Sequence, residues 1–454
     1  MIEILPFLVC LAPVLTGTTC QQMSRIVLAM LAMSGRVTML GISRWAGAGG
    51  SYRTVQRFFA TLLPWASLFW LFFRTHLYQR SEVYLLAGDE VVVTKAGKAT
   101  HGLDRFFASL YGKAVPGLAF FALSLVSVQT RHAFPMVIEQ ILRSEAEKAA
   151  SKAKAVMKAR KPAHPEGTRK RPPGRPKGSK NKSKTAVQLT PELLRIQGLV
   201  AALLKRIAGL LPLTYLLLDG HFGHSNALQM ARQLNLQLIS KLRSDAALYL
   251  PYAGSYCGHG PRRKYGDKVD YHNLPDQSLK ETRLGGRIQT CFYQTTLLHK
   301  EFCQPLNVVI IVKTNLDTQA SARILLFSSD LDLTYDQLVA YYSLRFQIEF
   351  NFRDAKQFWG LEDFMNISPI AVTNAANLSL FMVNLSYRLL LDFRHTHPAF
   401  SVLDLKALAR GYRYVDETMQ LLPQKPEPFL LSRIFQRVAK LGQIHAVYPG
   451  LEPA

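Results

Sequence analysis

The spacing of apolar positions divides the chain into helical, strand-like and unpatterned stretches. Apolar residues recur at helical spacing from Gln22 to Met33 and from Val37 to Ala46. A Gly47-Ala48-Gly49-Gly50 break follows, and Ser51 is suited to cap a further helix to about Leu63. Two continuous apolar runs of strand length, VYLLAGDEVVVTKAG (83–97) and LTYLLLDGHFGHS (213–225), are interrupted by Asp89-Glu90 and by Asp219. A strand is expected through Gly117 to Val128, a helix from about Met136, and another helix over Pro191 to Leu210. Residues 241–330 alternate short β-like runs with turn residues and end in two core strands, NVVIIVKTN and ARILLFSS. Between Thr334 and Gly360 no Pro or Gly intervenes, and Thr334 with Gln337 forms a capping box. This predicts one helix of about seven turns. Further helices are expected over Ile370 to Arg394 and Leu403 to Leu441.

Charge adds what the pattern lacks. The 454 residues carry a formal net charge of +24, and a hydrophobic content of 48% is ample for a large core. From Arg143 to Lys184 there are fifteen Lys or Arg against three Glu, so about half of the excess lies in one segment. Pro172, Pro173 and Pro176 forbid helix there. The balance points to a polyanion as partner. The five cysteines form no CxxC pair, which argues against a disulfide framework or a thiolate zinc site and for a reducing cytoplasm. The apolar opening lacks a basic leading region and carries Glu3, Pro6 and Pro13, so it does not read as a secretory signal. The run from Leu62 to Phe73 is too short to span a bilayer. No glycine loop of the kind that grips nucleotide phosphates is present.

Three acidic positions stand out. Asp89 and Asp219 follow buried strands, where an unpaired carboxylate is costly unless it reaches solvent or a cation. On the 334–360 helix, Tyr342, Arg345, Glu349 and Lys356 fall within a sector of about 60°. A solvated ion-pair ladder is the plain alternative for that face. His221 and His224 have no third nitrogen or thiolate ligand nearby in sequence, which argues against zinc. The two N-terminal helices around the glycine break are compatible with a helix-turn-helix, with Arg53 and Arg57 facing a DNA groove, or with an ordinary helical hairpin.

The spacing Tyr342-x2-Arg345-x3-Glu349-x6-Lys356 resembles the signature of bacterial insertion-sequence transposases of the family-four group of DDE enzymes. The blocks around Asp89 and Asp219 look like those around that family's two catalytic aspartates, although Val91 stands where relatives commonly carry Thr. Pro173 to Lys177 resembles an AT-hook, with Arg171, Arg175 and Lys177 directed at a minor groove.

The resemblance implies an α/β protein with a ribonuclease-H-like mixed-sheet core in the order strand, strand, strand, helix, strand, helix, strand, helix. Its expected parts are a helical DNA-binding domain at 1–80, core at 81–140 and 191–240, a basic linker at 141–190 and a β-rich insertion at 241–305. The last core strand and catalytic helix are expected at 306–365, and a helical region at 366–454. It implies Asp89, Asp219 and Glu349 as catalytic residues and ligands of two Mg²⁺ or Mn²⁺ ions, with Tyr342, Arg345 and Lys356 on DNA phosphates. Cleavage and strand transfer of double-stranded DNA by a cytoplasmic, nucleoid-associated homodimer are the implied function. A metal-dependent nuclease without strand transfer, and a non-catalytic AT-rich-DNA-binding protein, are the alternatives. In some relatives a tryptophan of the insertion stacks on a base; this chain has no Trp between Trp70 and Trp359.

Overall fold

The computed structural model describes residues 3–108, 111–149, 188–256 and 258–445. The chain opens with α1 (Leu5–Leu8), α2 (Gly17–Ala32), α3 (Met39–Trp45), α4 (Tyr52–Ala60) and α5 (Trp65–His76). Thr16, Thr38 and Ser51 cap α2, α3 and α4 by accepting a backbone N–H three residues on. Helix α4 ends at Ala60, short of Leu63, because the chain turns extended at Thr61. The aromatic run of α5 is buried in the core, and no described helix is by itself long and apolar enough to cross a membrane.

The strands follow: β1 (Tyr84–Thr94), β2 (Asp104–Ala108), β3 (Lys113–Ser127) and β4 (Ala133–Gln140). After the 150–187 segment come α6 (Pro191–Ile207), β5 (Tyr215–Leu217), α7 (Ser225–Gln233) and β6 (Gln237–Leu242). β1 pairs antiparallel with β3 and parallel with β5, which in turn pairs parallel with β6. The expected alternation of strands and helices through this region therefore recurs, with β2 as an added hairpin strand, and the whole is a mixed α/β fold consistent with a ribonuclease-H-like core. The expectation of a helix from Met136 is corrected: Phe134 to Gln140 pair with β3. Met136 and Ile138 are buried against the helices, so sheet pairing overrides local preference.

Beyond β6 lie β7 (Leu248–Pro251), β8 (Tyr265–Lys268), β9 (Leu279–Gly285), β10 (Ile288–His299), β11 (Leu306–Asn315) and β12 (Ser321–Ser328). β12 pairs with β6, so the β-rich stretch extends the same sheet. The helices α8 (Tyr335–Leu344), α9 (Gln347–Phe358), α10 (Pro369–Arg394), α11 (Val402–Leu421) and α12 (Pro428–Ala439) complete the chain.

The single seven-turn helix is corrected as well. The capping box of Thr334 and Gln337 forms, but the helix tightens at Arg345 and Phe346 into i→i−3 bonds, among them Ile348 N–H to Arg345 O at 3.1 Å. Gly360, at φ +77°, ends α9 where a Cβ would collide with Val37. The N-terminal helices pack on the C-terminal ones: Asn374 donates to Phe59 O and Thr61 O and accepts from Trp65 Nε1, while Arg410 and Lys406 bond the last carbonyls of α2.

Candidate active site

Side chains alternate along β1, so Leu85, Ala87 and Asp89 share a face. Leu85 and Ala87 pack with Leu338 and Leu344 of α8, which puts Asp89 on the side covered by α8 and α9. Glu90 falls on the other face, where Glu192, Arg143 and His221 are its charged neighbours. The parallel pairing of Leu86 with Leu216 and Ala87 with Leu217, continued two residues, brings Asp219 level with Asp89. Asp219 caps a turn over Gly220–Phe222, accepting from His221 N–H at 3.1 Å, and its carbonyl accepts from Ser240 Oγ at 2.7 Å. The turn lies so close to β6 that a Cβ on Gly223 would overlap Lys241 O.

The third carboxylate arrives on the first turn of α9. Arg345 Nη1 donates to Asp89 Oδ2 at 2.8 Å and Nη2 to Glu349 Oε1 at 2.9 Å, with only 13% of the arginine side chain exposed. Tyr342, half-buried, adjoins Arg345 and senses both Asp219 and Asp89. Burial raises the Asp89 carboxyl to about 6; Arg345 and the Glu90 N–H oppose that, and Asp219 and Glu349 add to it. The three predicted acids thus share one charged neighbourhood.

The donors are hard carboxylate oxygens suited to a divalent ion. Asp89 and Glu349, however, are engaged by the Arg345 guanidinium, and among the described residues no three acidic, histidine or cysteine side chains converge into a metal-holding group. Lys356 is on the same side but points along β1, donating to Val92 O at 2.9 Å and pairing with Glu362 at 2.8 Å.

Arg53 and Arg57 lie on the exposed outer face of α4, opposite the buried Val55, Phe58 and Phe59. Arg171, Arg175 and Lys177 lie outside the described residues. His221 pairs with Glu192 at 3.3 Å, and this partner raises its imidazole above the ordinary value. His224 Nδ1 instead accepts the Ala227 N–H at the start of α7. The Glu192–His221 contact has no sequence signal, because 29 positions and a strand separate the two residues (221 − 192). The bridging role of Arg345 was half visible: helical spacing paired it with Glu349, but nothing linked it to Asp89.

A search of curated proteins finds no match to this chain. A family model described as DDE superfamily endonuclease matches residues 10–293, a span that takes in Asp89 and Asp219 and stops before Glu349. With that span exceeding half of the chain, and with a mixed sheet bringing two aspartates side by side, the protein belongs to the DDE superfamily endonucleases.

Proposed function

We propose that the protein is a DNA transposase that cleaves the ends of an insertion element and transfers them into target DNA, working as a homodimer on double-stranded DNA. What supports the reading is Arg345 bridging Asp89 and Glu349 with Asp219 among the charged neighbours of Asp89, on a family background of DDE endonucleases. In this reading the three carboxylates are the ligands of two Mg²⁺ or Mn²⁺ ions. Such ions, when bound, supply Lewis-acid activation of an oxygen nucleophile and stabilise the leaving oxygen.

The rest of the work falls to the chain. Tyr342 and Arg345 hold the phosphodiester beside the carboxylates, and Lys356 joins them by leaving Glu362. Arg53 and Arg57 grip the duplex away from the chemistry, and the segment with Arg171, Arg175 and Lys177 adds salt-sensitive, A·T-favouring affinity. The nucleophiles are water and then a DNA 3′-hydroxyl, so no covalent protein intermediate forms.

The test uses purified protein, Mg²⁺ and a linear DNA bearing the inverted repeats that flank its gene. Cleavage at the repeats followed by joined products is expected. Cleavage without joining makes the protein a nuclease, and binding without cleavage makes it an A·T-rich-DNA-binding protein.

A further inference from the structure

Two half-buried carboxylates on facing elements need positive charge between them. In this molecule Arg345 supplies it, with its two terminal nitrogens 2.8 and 2.9 Å from Asp89 and Glu349. A divalent ion would approach the same oxygens to about 2.0–2.6 Å. Guanidinium and ion therefore compete for the same lone pairs of Asp89 and Glu349.

Arg345 sits where α8 gives way to α9, at the turn that tightens into i→i−3 bonds, and the neighbouring Phe346 is exposed. The planar fork of a guanidinium matches phosphate oxygens as well as it matches carboxylates.

Resting on the transposase reading above, we propose that Arg345 is a stand-in cation. It holds Asp89 and Glu349 together and closed to divalent ions until a DNA phosphate draws its guanidinium away, so that DNA and metal bind with positive coupling. Each then strengthens the other by the same factor. Metal-dependent chemistry is thereby confined to protein already holding DNA.

The experiment titrates Mn²⁺ into the full-length protein, reads free Mn²⁺ by electron paramagnetic resonance, and repeats the titration with a duplex carrying the gene's flanking repeats, correcting for DNA alone. DNA is expected to tighten Mn²⁺ binding by about tenfold or more, within the ordinary range of coupling between sites. Arg345→Gln is expected to bind Mn²⁺ about tenfold more tightly than wild type without DNA, and to lose the coupling.

Equal Mn²⁺ affinity of the wild type with and without DNA overturns the proposal, and so does Arg345→Gln that keeps its circular dichroism spectrum yet binds no tighter. Should Arg345→Gln not fold, the wild-type comparison decides alone. Asp89→Asn and Asp219→Asn separate this failure from a deeper one. If they abolish Mn²⁺ binding while Arg345→Gln changes nothing, only the stand-in role falls; if they leave Mn²⁺ binding intact, the metal-site reading falls and takes this inference with it.

Discussion

Asp89 and Asp404 are both enclosed carboxylates near the start or middle of an ordered element, yet they are treated in opposite ways. Asp404 has no exposed surface and accepts from Ser401 N–H at 2.9 Å, Ser401 Oγ at 2.6 Å, His445 N–H at 3.1 Å and His445 Nδ1 at 2.8 Å, with Ile444 N–H as a further donor. Burial alone would raise its carboxyl, but those donors outweigh burial and hold it well below the usual range. Asp89 has two donors, Arg345 and the Glu90 N–H, and faces two like charges, so burial prevails. An acid surrounded by donors is a fastener. One with fewer donors, set among other acids and held by a single guanidinium, keeps a raised carboxyl, the kind of perturbation that clusters at functional sites.

The contrast can be broken most decisively at the chemistry. Asp89→Asn, Asp219→Asn and Glu349→Gln are each expected to lower cleavage of repeat-bearing DNA by roughly 10³-fold or more while DNA binding persists, as gel-shift and cleavage assays would show. Asp404→Asn is expected to leave the cleavage rate per folded molecule unchanged and to cost about 2–3 kcal/mol in denaturant unfolding, through lost charge-assisted bonds. The sign with pH follows from its depressed value: the contribution of Asp404 is present above the unfolded-state value near 4 and is lost as pH falls through the folded-state value. The deficit of Asp404→Asn should therefore shrink on acidification below about pH 4, as melting curves from pH 7 to 3 would show.

Asp89→Asn should do the reverse to stability. Its ionised form is disfavoured in the fold, so the substitution should change stability at pH 7 by no more than about 1 kcal/mol, or raise it, and a large loss would mean that Asp89 is a fastener too. The smallest effect is expected at the periphery. Arg53→Ala and Arg57→Ala should each reduce the slope of log affinity against log salt by about one, with cleavage at saturating DNA unchanged.

Much of the core was legible because its signals are local. The apolar run 83–97 had to be a buried strand, and the acid within it had to be explained. Thr334 and Gln337 announced a helix start that the fold uses. The errors came where distant partners decide. Phe134 to Gln140 form a strand because β3 offers an edge, and the helix after Thr334 tightens at Arg345, where the side chain is bound to a residue 256 positions earlier. No spacing rule reports that bond. Lys356 shows the same limit: helical periodicity sets it on the face of Glu349, but its partners Val92 and Glu362 belong to a strand and a loop that the helix wheel does not contain.

The ladder between β1 and β3 runs without a bulge from Tyr84 opposite Ser127 to Thr94 opposite Gly117. Asp89 and Glu90 are chemically near-equivalent neighbours, and a slip of one position would exchange them, presenting Glu90 to Arg345 and turning Asp89 toward Glu192. Uninterrupted pairing along β1 is therefore what fixes which of the two carboxylates faces Arg345, and a bulge-forming insertion in β3 near Ala122, the partner of Asp89, would be expected to present the other one.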